Sequence, residues 1–104
     1  MQRTPILETK NLVGKEVSLA GWVHVRRDHG KLIFVDLRDR SGTVQMVFVP
    51  SSKDIYELAS QLRPEWVISV RGVVKERPEK MINLEVETGR VELEPLELEV
   101  IGRA

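Results

Sequence analysis

The sequence holds two histidines, His24 and His29, and no cysteine. Thiolate zinc sites, iron–sulfur clusters, disulfides and cysteine nucleophiles are therefore excluded. His24 lies in an alternating run with Trp22 and Arg26, and His29 in the turn Asp28-His29-Gly30. Their spacing is not that of paired metal ligands on one helical face, and no serine–histidine–acid set has support. No glycine-rich phosphate loop follows a strand and opens a helix. Catalysis by this chain alone is disfavoured, and binding chemistry is what the residues offer.

Phe34 is the most informative side chain. Its neighbours Ile33 and Val35 share one face of a strand, and Phe34 shares the other with Asp36 and Arg38. An aromatic ring among polar side chains on a sheet surface suits the stacking of an unpaired base. The alternative is a ring covered by a helix or a chain end. Gln45 falls on a matching face of the next strand; its amide, donor and acceptor at once, suits a base edge, unless it merely faces solvent. Arg26 and Arg27, at the end of the first strand, can pair with phosphates, and Arg77 follows the fourth strand. Glu92 lies opposite Val91 and Leu93; it suits the N–H groups of guanine, or else belongs to a solvated acidic row with Glu94.

The elements that must position these groups are mostly strands. Glu16 to Arg26 alternates, with Val17, Leu19, Val23 and Val25 on one face and Gly21 marking a bend. Lys31 to Asp39 alternates again, Arg40-Ser41-Gly42 turns the chain, and Thr43 to Val49 follows with Val44, Met46 and Phe48 on one face. Ser51-Ser52-Lys53-Asp54 reads as a serine-capped helix start. Ile55, Leu58, Ala59 and Leu62 form one apolar helical stripe before Pro64. Trp66 to Lys75 is a fourth strand with a bend at Gly72. Ile82 to Glu87 is expected to form a short hairpin arm turning at Thr88-Gly89. Val91 to Ile101 is a fifth strand whose alternation changes phase at Pro95. Three strands, a helix and two strands, bent at glycines, is the order of an all-β, five-stranded OB-fold Greek-key barrel; periodicity alone leaves a generic sandwich open.

Length and composition agree with a single folded domain. The 104 residues are 41% hydrophobic, and no apolar run approaches a membrane span or a signal peptide. The expectation is a soluble, cytoplasmic domain with no membrane partner. Sixteen bases balance sixteen acids, which argues against binding by bulk charge. The balance hides a gradient: residues 81–104 hold two bases and six acids, and residues 1–80 fourteen and ten. The densest basic stretch is Arg26-Arg27-Asp28-His29-Gly30-Lys31.

The run Gly21-Trp22-Val23-His24-Val25-Arg26-Arg27-Asp28-His29-Gly30, with Ile33-Phe34-Val35-Asp36-Leu37-Arg38-Asp39-Arg40-Ser41-Gly42 and Val44-Gln45, closely resembles the N-terminal domain of bacterial aspartyl-tRNA synthetases. The likeness extends to Arg3-Thr4, Gly72, Arg77, Asn83, Thr88-Gly89 and Arg103-Ala104. It implies that residues 1–104 are an anticodon-binding OB-fold domain. It implies that Phe34 stacks on the middle anticodon base, Gln45 reads that base's edge and Glu92 reads the first base. Arg26, Arg27, Arg77, His29 and Asn83 complete the implied site. The stacking ring is expected to stand proud of the barrel wall. His29 resembles the relaxed type, which also charges asparagine tRNA. Valine at position 25 departs from relatives with a third arginine, so one phosphate contact is expected to be missing.

The resemblance further implies aspartate tRNA as partner and a homodimeric parent enzyme. It implies no cofactor in this domain, with ATP and Mg serving the parent's class II catalytic domain, which is not in this sequence. The chain by itself is expected not to make aspartyl-tRNA. The alternative is a free-standing OB module that binds single-stranded nucleic acid or protein.

Overall fold

The computed structural model describes residues 2–103; Ala104, the last residue of the resemblance, lies outside them. Five strands form a closed barrel in the order β1-β2-β3-β5-β4, with β1 at Glu16–His29, β2 at Leu32–Arg38, β3 at Thr43–Phe48, β4 at Val67–Glu76 and β5 at Val91–Gly102. A helix, α1, covers Lys53–Ala59 between β3 and β4. The neighbouring strands run antiparallel except where β3 meets β5 in parallel, at Met46 opposite Leu93, and this pairing closes the ring. Closure leaves no open sheet edge.

The period-two pattern fills the interior as expected. Val17, Leu19, Val23, Ile33, Val35, Leu37, Val44, Met46, Phe48, Ile68, Val70, Val74, Val91 and Leu93 form one buried cluster, joined by Ala59 and Leu62 from α1 and its exit. Gly21 is required by close packing of β1 on β2: a Cβ there would stand 2.1 Å from the Arg38 carbonyl oxygen. The phase change at Pro95 is a register shift, in which Arg71 opposes Glu97 while Gly72 opposes Pro95.

Three expectations need correction, and one element went unsignalled. Ile82–Glu87 is not a strand arm; it is a chain of turns closed by Asn83 N donating to the Gly89 carbonyl at 3.0 Å. Ser52 occupies the N-cap of α1 but makes no side-chain cap bond; its carbonyl accepts from Tyr56 N instead. The short 3-10 helix at Ile6–Asn11 has no periodic signal, yet Ile6 is fully buried and belongs to the core.

The third correction bears on function. The register of β1 against β2 slips between Val23 and Val25, a β-bulge that reverses the inward–outward order of everything after it. Val23 opposes the core residue Leu37, but Val25 opposes Asp36, on the outer face. Val25 is only half-buried and is not part of the core. The same slip sends Arg26 and Arg27 to opposite sides: Arg26 opposes the core residue Val35, and Arg27 opposes Phe34.

Candidate nucleic-acid interface

Phe34 does not stand proud of the wall. It is 9% exposed, yet it lies outside the core cluster and faces a cavity of about 610 Å³ on the outer surface of the barrel. Leu32, Val47, Pro78 and Met81 share that cavity with it. The ring is recessed because the β4–β5 connection, residues 77–90, folds back over the face of β2 and β3. The result is an apolar slot with one aromatic wall, a shape that takes a flat ring edge-on from solvent.

Gln45 is 4% exposed, so the plain solvent-facing alternative does not hold. Its Oε1 accepts from Arg27 Nη2 at 3.3 Å, and its Nε2 is buried without a hydrogen-bond partner. A buried donor left without an acceptor is rare in folded proteins. Gln45 is among the residues that border the cavity lined by Phe34. The observation carries the site: the protein keeps an unpaired, directional donor beside an aromatic wall.

Arg27 is held by Asp36 in a two-pronged pair, Nη1 to Oδ2 at 2.9 Å and Nη2 to Oδ1 at 3.2 Å. Hydrogen bonding to Asp36 lifts the Arg27 guanidinium above its ordinary range, against an opposing effect of burial. Arg27 and Gln45 also border a second, more polar cavity of about 380 Å³, with Arg77, Asn83, Thr88 and His24. The two cavities therefore meet along one groove. Burial pushes the Arg77 guanidinium down; the carboxylates of Asp36 and Glu92 oppose this, and the charge of Arg27 adds to it.

The β4–β5 connection is pinned from both ends. Arg77 Nε donates to the Val91 carbonyl at 2.8 Å and Nη1 to the Met81 carbonyl at 3.2 Å. Thr88, buried, donates its hydroxyl to the Thr43 carbonyl. Gly89 allows the tight neck: a Cβ there would come within 1.6 Å of the Asn83 carbonyl oxygen. Asn83 is thereby fixed on the wall of the polar cavity.

Glu92 is half-buried on the wall of the first cavity rather than in a solvated row. Burial raises its carboxyl above the ordinary range, while the charges of Arg77 and Lys75 draw it back. His29 is exposed and closes the outer end of the same cavity as the last residue of β1. Of the eight residues singled out from sequence, seven line the groove: Phe34, Gln45, Arg27, Glu92 and His29 in the first cavity, Arg77 and Asn83 in the second. Arg26 does not. The bulge turns it toward α1, where Nη1 donates to the carbonyls of Ser60 and Leu62, and Nε and Nη2 pair with Asp28. Among the described residues no three His, Asp or Glu side chains converge as a metal site, and no helix is long and apolar enough to cross a membrane.

Sequence reasoning passed over Asp36, Thr88 and Met81. Asp36 had a usable signal, because the Arg40-Ser41-Gly42 turn sets Arg38 opposite Thr43 and hence Asp36 opposite Gln45. Thr88 was legible only as a turn residue and Met81 not at all, since nothing periodic places a turn-rich segment.

Residues 17–101 match the family model described as an OB-fold nucleic acid binding domain. The chain belongs to this family. The OB-fold domain is 50% identical over 90 residues to the Aspartate--tRNA(Asp/Asn) ligase of Legionella pneumophila, which covers 86% of this chain and 15% of the relative. The chain thus spans about 15% of the length of the curated relatives it matches. Among solved structures it resembles the asparaginyl-tRNA synthetase of Pyrococcus horikoshii in complex with asparaginyl-adenylate, with a TM-score of 0.82 and 32% identity over 100% of this chain and 23% of that one. It also resembles OBody AM2EP06 bound to hen egg-white lysozyme, with a TM-score of 0.83 and 26% identity over 100% of this chain and 97% of that one.

Proposed function

We propose that the OB-fold domain binds the anticodon loop of aspartate tRNA as the N-terminal domain of a longer, bacterial aspartate–tRNA ligase. The unpartnered Gln45 Nε2 beside the Phe34 ring carries this reading. A splayed base that enters the slot gains a flat apolar wall and supplies the acceptor that Gln45 lacks. Arg27 and Arg77 meet the backbone phosphates in the polar half of the groove. Glu92 stands where a carboxylate repels phosphate and accepts from the N–H groups of guanine. The family match and the names of the relatives support the same reading.

Several parts of it concern the parent enzyme. Amino-acid activation, with ATP and Mg, belongs to a class II catalytic domain, and the parent works as a cytoplasmic homodimer. His29, at the mouth of the slot, accompanies relaxed use of both aspartate and asparagine tRNA, in keeping with relatives named for both. Charging of both tRNAs by the full-length enzyme supports the relaxed reading, and strict use of aspartate tRNA rejects it.

The test of the domain's role is fluorescence anisotropy with an RNA hairpin carrying the GUC loop and a second hairpin with the loop scrambled. Tighter binding of the first supports anticodon recognition. Equal binding of both, with a steep salt dependence, assigns the barrel to general single-strand attachment instead.

A further inference from the structure

We propose that Asp36 is a positioning residue that sets, through Arg27, which end of the Gln45 carboxamide faces the slot, so that the base lodged there must present a carbonyl oxygen rather than an amino group. The inference rests on the base-binding reading above and adds to it a selectivity device that touches no ligand.

The three residues are brought together by register. The tight β2–β3 turn puts Asp36 directly opposite Gln45, and the bulge in β1 puts Val25 opposite Asp36. Arg27, two residues further along β1, then reaches diagonally across the outer face. A guanidinium has donors and no acceptor. Asp36 takes two of those donors, and the Nη2 group so placed stands 3.3 Å from Gln45. The atom that Gln45 offers to it must be Oε1, because the amide nitrogen there would set N–H against N–H. Nε2 is consequently turned away from Arg27, buried and without a partner. Its hydrogens are left for an acceptor that enters from the cavity.

With Asp36 neutralised, Arg27 loses the anchor that aims it and is free to turn to solvent. The carboxamide then has no reason to prefer one orientation, and either edge polarity is accepted. Uracil and cytosine make the probe: the two rings have nearly the same shape and share the C2 carbonyl, but the C4 carbonyl of uracil is an amino group in cytosine, with N3 changing from donor to acceptor beside it.

The experiment measures the affinity of the domain for two hairpins, with GUC and GCC loops, before and after Asp36→Asn. The wild-type domain is expected to favour the uracil loop by roughly tenfold. In Asp36→Asn the ratio is expected to fall toward one, with binding of the cytosine loop undiminished because the Phe34 wall is intact. Asp36→Glu, which keeps the charge, is expected to restore the preference. A ratio unchanged in Asp36→Asn, with both affinities reduced alike, overturns the inference while leaving base binding in place. Wild-type indifference to the middle base overturns the inference, and failure of the wild-type domain to bind either hairpin overturns the base-binding reading beneath it. Should Asp36→Asn fail to fold, Gln45→Glu decides: its carboxylate only accepts, so the bond to the uracil C4 carbonyl is lost and the uracil preference must fall, and a fully retained preference refutes the orientation.

Discussion

Replacing Phe34 separates the two things the ring does. It is 9% exposed, so it contributes to stability as a partly packed side chain as well as to the slot. Burying a phenylalanine stabilises by about 1.5–3 kcal/mol. Phe34 lies outside the core cluster and borders a cavity open to solvent, which places it toward the lower part of that range. For a domain of this size, about 2 kcal/mol lowers the melting temperature by roughly 10 °C. Phe34→Ala is thus expected to melt earlier but to remain folded at 25 °C. Phe34→Leu keeps the apolar wall, loses the flat face, and is expected to melt within a few degrees of wild type. Base–aromatic stacking is worth about 1–3 kcal/mol by truncation, or roughly 5- to 150-fold in Kd. Both variants are expected to lose GUC-hairpin affinity within that range, measured by anisotropy, with unfolding followed by circular dichroism. A Phe34→Leu domain that binds the hairpin as tightly as wild type refutes the stacking role.

Other consequences follow from the same groove. Glu92→Gln is expected to narrow the preference for guanine over adenine as the first loop base; an equal loss for both refutes edge reading. The folded-state pKa of Glu92 is raised, so its contribution to stability is present in acid and is lost as pH rises through the folded value. Glu92→Gln is accordingly expected to match or exceed the wild-type melting temperature at pH 7. Asp39 behaves in the opposite sense. Burial works to raise its carboxyl, but bonds from Ser41, Ile6 and Gly42 outweigh it and hold the group below its ordinary value of 3.8. Its contribution is present above that pH and is lost as pH falls through the folded value. An acid melting series is expected to show this loss in wild type and not in Asp39→Asn. Gly89→Ala forces the Asn83 carbonyl away and is expected to weaken hairpin binding while the strand signal in circular dichroism persists.

The barrel was legible because each strand faces water on one side and the core on the other, so β2 and β3 show their period without interruption. Two kinds of feature were not. The β1 bulge leaves no mark in the alternation of Val23, Val25 and their neighbours, yet it decides that Arg27, and not Arg26, shares a face with Phe34. Only pairing with β2 reveals it. The 77–90 segment has Pro, Gly and charged residues in no period, and its shape is set by long-range bonds such as Thr88 to Thr43. For that reason Phe34 was expected to be open and is instead roofed, and Gln45 was expected on the surface and is buried. The residue types at the site were readable from chemistry alone; their depth was not.

The most direct measurement is an NMR titration of the labelled domain with the GUC hairpin, following the Phe34 ring and the Gln45 side-chain amide. A base seated in the slot shifts the Phe34 ring signals by its ring current and moves the Gln45 Nε2 protons downfield as they gain an acceptor. Shifts confined to the β4–β5 face around Arg71 and Glu97, with both slot signals unmoved at saturation, contradict the account.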